Sequence, residues 1–541
     1  MSLSAFARDR YLTKEYFPGV VGWTRCVFNV SAIGLMTGLP WLLPNFFIVG
    51  FLGYTLLIVH ASTLTLMRAF WMSLASGGIA LTIAFHWAAQ SIFDTTNLPY
   101  SLAIVVFVGL IAWESLAFGF LGLATSVLAS KGRRMIWWII PVWIVIQTHF
   151  PKIFGWATAH AYLSFPPILQ VAEFAGTAGV TACIMVGSVA LARLISSPRC
   201  RLAWSEAIAT IMFLTLACVW GHFAVTHWDD VAAAVPKLRV AAIQVDPSFV
   251  VSLERMQTRS DRVKGKVDLI LWPESTLGNY HTSLDHFGED NYTYDHAEMP
   301  NPAVNPYPNI HCDLLAGGKT YDDGGRGIGP YKNTVFLIDR NNYIIDRYVK
   351  RSLLPIGEYV PGEQWIPQLR DWAALETELI RGASDIPVNL SNGVRAGILV
   401  CYEDMVAANA SSTVREGAEC LVAIVNGSAF VDPDTLRQHL LLAQFRTIEN
   451  RRSMIRCAAT GVTCLINPSG RIVEQLPLFQ DDMLVTEVPL IKNLTFYSKH
   501  GEWFSGVATI MTAGLFFYLY MPLATRFKSR FGVANQAQRR R

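Results

Sequence analysis

The feature that most constrains this chain is a series of seven apolar stretches in its first half, each near the roughly 20 residues that a helix needs to span a bilayer. An eighth stretch follows at 504–521. Only 16% of the 541 residues are charged, and the mean hydropathy of +0.32 is too high for a soluble enzyme of this size. We therefore predict a polytopic α-helical membrane protein with about eight transmembrane helices. The first seven lie at about 26–42, 44–62, 70–91, 101–130, 135–149, 171–195 and 205–223.

Basic residues indicate how these helices are oriented. Arg68, the cluster at 131–134, and the pair Arg199 and Arg201 fall in alternate loops, whereas the loops between them hold almost no Lys or Arg except Lys152. Cytoplasmic loops are enriched in basic residues, so the N-terminus is predicted to be cytoplasmic. The N-terminal segment lacks the pattern of a removable signal peptide, and the basic C-terminal tail is also expected on the cytoplasmic side.

The long segment between the seventh and eighth stretches contains no spanning run. Its apolar strand-like segments alternate with helix-like segments, a pattern that is typical of a layered α/β domain whose sheet is covered by helices. Because an odd number of spans precedes it, we expect this domain on the side opposite the cytoplasm. The predicted parts are a membrane domain at 1–227, a catalytic α/β domain at 228–500, and a final helix with its basic tail at 501–541.

Three of the predicted strands end in reactive side chains. Glu274 follows a strand in the motif Trp-Pro-Glu, Lys350 follows the strand that begins at Tyr343, and Cys401 follows the apolar run that begins at Gly397. A single cysteine at a strand end is more often a buried, inert residue. Three strand ends with three different reactive groups are hard to explain by packing, so we predict that Glu274, Lys350 and Cys401 are catalytic.

A carboxylate, an ammonium and a thiol are chemically sufficient for acyl transfer. The carboxylate can take the thiol proton, the thiolate can attack a carbonyl carbon, and the ammonium can stabilise the oxyanion that develops. A free thiol has a pKa of about 8.5, so near neutral pH it needs a neighbouring base or cation to become a good nucleophile. Glu274 and Lys350 provide both.

The remaining cysteines and histidines indicate no metal site and no cofactor. The nine cysteines show no Cys-x-x-Cys spacing, and the spacing of the histidines supports no metal site. Pairing among the extracytoplasmic cysteines stays open, and the histidines are expected to be solvated or hydrogen-bonded. The formal net charge of +3 does not indicate a nucleic-acid surface. The residues concerned are Cys312, Cys420, Cys457, Cys464, His281, His286 and His439.

The motifs around the three strand ends resemble the Glu-Lys-Cys triad of the nitrilase, or carbon-nitrogen hydrolase, superfamily. The resemblance is carried by Trp-Pro-Glu274, by Lys350 with the following Leu-Leu-Pro-Ile-Gly-Glu358-Tyr-Val-Pro, and by Cys401-Tyr-Glu403. With seven spans before the domain and one after it, the chain is similar to the apolipoprotein N-acyltransferases of bacterial envelopes.

This resemblance implies an extracytoplasmic α-β-β-α sandwich and a multi-pass protein of the bacterial inner membrane. It implies that an acyl chain passes from a phospholipid, through a Cys401 thioester, to the α-amino group of a diacylglyceryl-cysteine at the N-terminus of an apolipoprotein. It also implies supporting roles for Glu358 and Glu403. A carboxylate beside Lys350 can orient it, whereas Glu403 could act in the reaction or only accept hydrogen bonds.

Two segments depart from the family pattern. The chain has Asn-Gly-Ser-Ala-Phe at 426–430, where the family usually has an Asn-Asp-x-Trp-Phe type of loop, and it carries an unusual insert at 278–308. The acceptor could therefore differ, as in the related TraB-type proteins associated with conjugation. A scaffold with an inactive site and a transporter are the alternatives from other functional classes. The aromatic-rich stretch 359–372 is interpreted as a lid near the lipid headgroups, with packing under the domain as its alternative.

Overall fold

The structure is a computed structural model, and it describes most of the chain. The predicted basic lead-in, the C-terminal tail and most of the insert at 278–308 lie outside the described residues. The residues that the structure describes are 20–95, 98–245, 253–277, 279–282, 292–294, 312–321, 330–341, 344–355, 357–368, 370, 378–428 and 432–519.

Helices dominate the chain up to residue 234. Within the part of the chain that the structure describes, five helical segments are long and apolar enough to cross a membrane, namely 44–63, 66–84, 100–131, 172–196 and 201–234, and a shorter apolar helix follows at 503–519. The helices are α1 (Val20–Leu42), α2 (Phe47–Thr63), α3 (Leu66–Ala84), α4 (Ala88–Thr95), α5 (Tyr100–Lys131), α6 (Ile139–His149), α7 (Pro166–Leu169), α8 (Ala172–Ser196) and α9 (Arg201–Ala234).

In the structure, two of the predicted spans are not single continuous helices. The predicted span at 70–91 is divided, since α3 ends at Ala84 and a turn precedes α4. In that turn the rings of Phe85 and Trp87 pack against Phe154. The predicted span at 135–149 consists of a 3-10 helix followed by the 11-residue α6. Pro151 disfavours helical geometry at the residue before it, so α6 ends there.

Helix α9 is longer than its predicted span. Its 34 residues cover about 50 Å at 1.5 Å per residue, which exceeds the roughly 30 Å of a bilayer core. It therefore runs through the predicted domain boundary at 227/228. The last turns are held by the α/β domain, because Asp229 accepts hydrogen bonds from Asn467 at 2.8 Å and from Ser469 at 3.3 Å.

Strands and helices alternate after α9, in close agreement with the predicted pattern. The short strands β3, β4 and β8 were not predicted. The strands are β1 (Lys237–Gln244), β2 (Leu269–Leu271), β3 (Asn279–Thr282), β4 (Tyr292–Tyr294), β5 (Asp313–Tyr321), β6 (Tyr331–Ile338), β7 (Ile344–Val349), β8 (Val388–Asn389), β9 (Arg395–Val400), β10 (Cys420–Asn426), β11 (Met454–Ala459), β12 (Cys464–Ile466), β13 (Ile472–Gln475) and β14 (Asp482–Pro489). The helices are α10 (Leu253–Arg262), α11 (Ala407–Arg415), α12 (Pro433–Asn450), α13 (Phe496–His500) and α14 (Trp503–Leu519).

Two sheets pack face to face in this domain. Within the described residues, the first sheet has the order β14-β1-β2-β5-β3-β4, with β6 paired to β5 and β7 to β6. The second has the order β13-β12-β11-β10-β9-β8. Strands β1, β2 and β5 run parallel in one sheet, and β9, β10 and β11 run parallel in the other. This arrangement brings the carboxyl ends of β2 and β9 to positions where side chains from both sheets can meet.

Apolar side chains fill the space between the sheets and cover their outer faces. Val240 and Leu315 of the first sheet and Ile398 and Val422 of the second are at most 1% exposed and belong to one cluster. The outer face of the first sheet packs on α10, and that of the second packs on α11 and α12. The domain therefore has four layers in the order α-β-β-α, which matches the predicted layering.

A buried ion pair joins this domain to the membrane helices. Arg451 directly follows α12 and is fully buried, and its guanidinium donates to Glu173 of α8 at 2.8 and 3.0 Å. It also donates to the side chain of Gln170 at 2.7 Å and to the carbonyl of Pro468 at 2.9 Å. One arginine thus satisfies acceptors from both parts of the chain.

We expect Arg451→Met to lower the free energy of unfolding by about 3–5 kcal/mol, because it leaves the Glu173 carboxylate without its buried partner. Chemical denaturation in mild detergent measures the change. The matched control is Arg437→Met, since Arg437 is 65% exposed on α12 and pairs only with Asp434 among the described residues. Equal stability of the two variants would contradict the proposed coupling between the parts.

Candidate active site

Three strand ends meet between the two sheets. Glu274, Lys350 and Cys401 follow β2, β7 and β9, and the Nζ of Lys350 lies 3.9 Å from Oε1 of Glu274. Asn426, at the end of β10, links the other pair. Its amide donates to Glu274 Oε2 at 2.9 Å, and its carbonyl oxygen lies 3.9 Å from the Cys401 Sγ. The structure brings the three predicted residues together, and their catalytic roles remain predictions.

Both oxygens of Glu274 have fixed hydrogen-bond donors. Besides the amide of Asn426, the Nδ2 of Asn333 in β6 donates to Oε1 at 2.5 Å. The backbone at Glu274 and Ser275 passes so close to β5 that position 317 must be a glycine. A Cβ on Gly317 would lie 2.7 Å from the Glu274 Cα and 2.9 Å from the Ser275 nitrogen. Ser275 itself has a φ of 62°, which turns the chain sharply away from the strand. The carboxylate therefore has little freedom to move.

The Lys350 ammonium lies between two carboxylates. It is 1% exposed and donates to Glu358 Oε1 at 2.6 Å, in addition to its contact with Glu274. The other oxygen of Glu358 accepts from the amide of Leu354 at 2.8 Å, so this carboxylate is oriented as well. The amide of Gly382 donates to the Lys350 carbonyl at 2.7 Å and holds the backbone.

Cys401 lies at the point where β9 becomes a 3-10 helix, Cys401–Met405. Its φ of 49° is in the left-handed region, which few residues with a Cβ adopt and which tends to occur at functional sites. This backbone geometry turns the chain away from the direction of the strand at Cys401. The Cys401 side chain remains partly exposed. The apolar run before it supplies the buried strand that supports the turn.

Burial and charge set the protonation states of the three groups. Burial raises the pKa of the Cys401 thiol far above its usual value, Glu274 raises it further, and Lys350 opposes both. Burial by itself would lower the pKa of Lys350, but Glu274 and Glu358 outweigh it and raise the pKa. Burial also raises the pKa of Glu274, against the effect of Lys350. At neutral pH the thiol and the ammonium are therefore protonated, and Glu274 is the group best suited to exchange a proton.

Glu403 connects the 3-10 helix to the loop after Lys350. The residue is fully buried, and its oxygens accept from the amides of Arg351 at 2.6 Å, Ser352 at 2.9 Å and Val400 at 2.9 Å. The Tyr348 hydroxyl adds a bond at 3.0 Å. This geometry favours a positioning role for Glu403, because its lone pairs are already directed at backbone and side-chain donors.

Cys401 opens into a narrow apolar cavity between the α/β domain and the membrane helices. Its free volume of about 40 Å³ is little more than the share of one water molecule in the liquid. The cavity is lined by Phe85, Trp87, Phe154, Trp156, Leu354, Cys401, Tyr402, Met405, Thr435, Leu436, Gln438, His439 and Leu442.

An acid, a histidine and an arginine beside the site were not predicted to form a group. Asp404 is fully buried and accepts from His439 at 2.6 Å and from Arg456 at 3.1 Å. Burial acts to raise the pKa of Asp404, but His439 and Arg456 outweigh it and hold the pKa below its usual value. His439 also lines the Cys401 cavity. Its contact with Asp404 agrees with the expectation of a hydrogen-bonded histidine. The sequence signal that could have indicated this group is Asp404, which directly follows Cys-Tyr-Glu.

The other predicted features have mixed outcomes. All nine cysteines are unpaired thiols, so no disulfide joins Cys312, Cys420, Cys457 and Cys464. Within the described residues, one group of ligand-type side chains was found, formed by His86, Asp432 and Asp434, and Asp432 caps α12 there. In the predicted lid, Trp365 is 79% exposed. Trp372, His286 and part of the loop at 426–430 lie outside the described residues.

Comparisons with known proteins show what this chain is similar to. Residues 239–492 match the family model described as carbon-nitrogen hydrolase. The apolipoprotein N-acyltransferase of Geobacter metallireducens is 24% identical over 87% of this chain and 91% of its own length. Its counterpart in Pseudomonas aeruginosa is 25% identical over 91% of this chain and 95% of its own. The chain therefore resembles apolipoprotein N-acyltransferases over most of its length and contains a carbon-nitrogen hydrolase domain.

Similar solved structures cover 47% of the chain. The NitFhit protein of C. elegans matches with a TM-score of 0.34 and 18% identity, over 61% of that chain. Nit3 of Saccharomyces cerevisiae, described as a member of the nitrilase superfamily, matches with a TM-score of 0.33 and 16% identity, over 90% of that chain.

The charges around Cys401 predict opposite effects of two substitutions on thiol titration. Glu274→Gln removes a negative charge and should lower the pKa of the thiol, whereas Lys350→Met removes a positive charge and should raise it, each by about one unit or more. The pH dependence of Cys401 alkylation by iodoacetamide, read by peptide mass spectrometry, measures both shifts. Cys200, far from the site, is the internal control. Shifts of the same sign in both variants would contradict the assigned electrostatics.

Proposed function

We propose that this chain, which resembles apolipoprotein N-acyltransferases over most of its length, is a membrane-bound N-acyltransferase of that type. It moves an acyl chain from a phospholipid to Cys401 as a thioester and then to the α-amino group of a diacylglyceryl-cysteine at the N-terminus of an apolipoprotein. The reaction is a step of lipoprotein biosynthesis. The resemblance supports the two substrates, and the chemistry of the site supports the reaction type.

The observation that most supports this proposal is the composition of the Cys401 cavity. Phe85 and Trp87 follow α3, and Phe154 and Trp156 follow α6, so four of the five Phe, Trp and Tyr side chains in the wall come from segments that follow membrane helices. A soluble amide would not require a nucleophile that faces such a wall. An acyl chain that enters from the bilayer would meet apolar surface along its whole path.

In the first half-reaction Glu274 takes the thiol proton as Sγ attacks the ester carbonyl carbon of the donor. A C–S bond forms, and negative charge develops on the carbonyl oxygen, where the Lys350 ammonium stabilises it. The intermediate then collapses with cleavage of the C–O bond. Glu274 returns the proton to the leaving oxygen, a lysophospholipid departs, and Cys401 retains the acyl group.

In the second half-reaction the neutral α-amine of the acceptor attacks the thioester carbonyl carbon. Glu274 takes the proton from the nitrogen as the C–N bond forms, and Lys350 again stabilises the oxyanion. Cleavage of the C–S bond releases the thiolate, which recovers the proton from Glu274. Glu358 keeps Lys350 in place through both steps, and Glu403 keeps the Cys401 turn against the loop after Lys350.

The proposed arrangement in the membrane has eight spans with both termini in the cytoplasm. The five long apolar helices support it, together with α1, the helical pair at 133–149 and α14. The membrane domain at 1–227, the catalytic domain at 228–500 and the segment at 501–541 remain the proposed parts. The catalytic domain would then face the periplasm of the bacterial inner membrane.

We expect one added acyl group on Cys401 when the wild-type protein meets phospholipid without an acceptor, as intact-mass and peptide mass spectrometry can show. Cys401→Ala should abolish this adduct, and Cys401→Ser should nearly do so, because a hydroxyl is a weaker nucleophile near neutral pH. Lys350→Met should slow thioester formation in single turnover by roughly a hundredfold or more.

An adduct on another residue, or normal acylation of the Lys350→Met variant, would overturn the proposed mechanism. The acceptor is tested separately with a synthetic diacylglyceryl-cysteine peptide and by complementation of a strain depleted of its own N-acyltransferase. If the thioester forms but neither acceptor test succeeds, the acceptor assignment is wrong and the conjugation-associated alternative is favoured.

Topology is tested by cysteine labelling in intact spheroplasts. Ser384→Cys, exposed in the α/β domain, should react with an impermeant thiol reagent, because that domain is proposed to face outward. Ser196→Cys, at the exposed last residue of α8, should react only after lysis. A Cys200→Ser background removes the nearby native thiol. The reverse labelling pattern would contradict the proposed orientation.

A further inference from the structure

A second cavity, of about 340 Å³, lies beside the Cys401 cavity, and both polar and apolar side chains line it. The two cavities share Trp156, Tyr402 and Met405 in their walls. Membrane helices provide one side of the second cavity, and the 3-10 helix after Cys401 together with α12 provides the other. Its polar lining includes Gln147, Thr148, Lys152, His160, Thr177, Thr181, Tyr402, Arg446 and Glu502.

Two buried nitrogen atoms in this lining have no hydrogen-bond partner among the described residues. They are the Nε of Arg446 and the Nε2 of His160, and both side chains are 3% exposed. Arg446 uses its other nitrogens on Glu449 at 3.1 Å and on the Met405 carbonyl at 3.4 Å. A buried N–H group without an acceptor costs about 1–3 kcal/mol, so a ligand that supplies an oxygen would be favoured here.

The side chain of His160 lines the cavity and carries an N–H group that can donate a hydrogen bond. Its Nδ1 accepts from the amide of Ala157 at 2.8 Å, so a neutral ring carries its proton on Nε2. Burial, with the nearby charges of Arg446 and Lys152, holds the pKa of His160 well below its usual value and keeps the ring neutral. The Nε2–H is therefore a donor that has no acceptor among the described residues, on a side chain that lines the cavity.

Lys152 adds a cation to the same lining. Its ammonium donates to the Trp156 carbonyl and lies 4.7 Å from the centroid of that ring, which leaves further N–H groups for a ligand. The acids nearby are Glu114, Glu449 and Glu502, and Glu114 accepts hydrogen bonds from the Ile153 amide and from Trp156. Glu502 accepts from Tyr497 and Ser505. Burial raises the pKa of Glu449 to about 8 despite Arg446, so this carboxyl is mostly protonated at neutral pH.

The cavity lies at the depth where membrane helices end. It is lined by the last turn of α6, by residues 177–181 near the beginning of α8, and by Glu502 directly before α14. In the proposed topology these three ends lie at the outer surface of the bilayer. Lipid phosphates occupy this depth, whereas acyl chains lie deeper in the membrane.

We propose that this cavity binds the phosphate of the glycerophospholipid donor. Its phosphodiester oxygens accept from Arg446 Nε–H, from His160 Nε2–H and from the Lys152 ammonium, as charge-assisted hydrogen bonds. The glycerol passes between Trp156, Tyr402 and Met405 and brings the ester carbonyl to Cys401. This inference rests on the proposed function, because it takes the acyl donor to be a phospholipid.

The test measures lipid binding without acyl transfer. In a Cys401→Ala background, native mass spectrometry compares a phospholipid with a diacylglycerol that has the same acyl chains. Lys152→Met should weaken phospholipid binding about tenfold or more, since a charged hydrogen bond contributes about 1.5–3 kcal/mol, and should leave diacylglycerol binding within about twofold. Lys152→Arg should restore phospholipid binding. Arg437→Met, an exposed charge removed from α12, is the matched control.

Three outcomes would overturn the site. They are equal loss of both lipids in Lys152→Met, unchanged phospholipid binding in that variant, and equally tight binding of glycerol phosphate, which lacks acyl chains. A second variant, Arg446→Lys, keeps a cation beside Glu449 but removes the Nε–H, and it should also weaken phospholipid selectively. If phospholipid selectivity is lost as expected but wild-type Cys401 never acquires an acyl group, the site stands and the proposed acyl transfer fails.

Discussion

The site depends on one buried ammonium held between two carboxylates. Lys350 is 1% exposed, and its ammonium offsets part of the cost of burying the Glu274 carboxylate. The same contact raises the pKa of the lysine and limits the rise in the pKa of Glu274. A proton acceptor, a fixed positive charge and a protonated thiol can therefore coexist within one small volume, which is the requirement for the proposed acyl transfer.

Hydrogen bonds and close backbone contacts fix the positions of these groups relative to one another. The amide of Asn426 fixes Glu274, and its carbonyl oxygen lies beside Cys401, so one residue sets the relation between base and thiol. Gly317 permits the close approach of β5 to the Glu274 turn. Glu403 joins the cysteine turn to the loop after Lys350. Because each contact crosses from one strand end to another, the two sheets together define the site.

The membrane helices form part of the site as well as a means of attachment. Trp87 donates to Gln438 of α12 at 3.1 Å, and Gln438 in turn donates to the Ala84 carbonyl at 2.7 Å. Arg451 adds its ion pair with α8. These buried polar contacts hold the helix ends against the domain, so two cavities that share part of their walls meet near Cys401. That arrangement suits a substrate with an acyl chain and a charged headgroup.

The amino-acid sequence alone determined the apolar spans, the alternation of strands and helices, and the three reactive strand ends, because periodicity and residue type are local properties. Only the tertiary structure decided which groups meet. The break after Ala84 depends on rings packed from distant segments, and the extension of α9 depends on contacts of Asp229 with residues near 470. The pairing of Asp404 with His439 and the unpartnered nitrogens of His160 and Arg446 likewise arise from contacts between residues far apart in the chain.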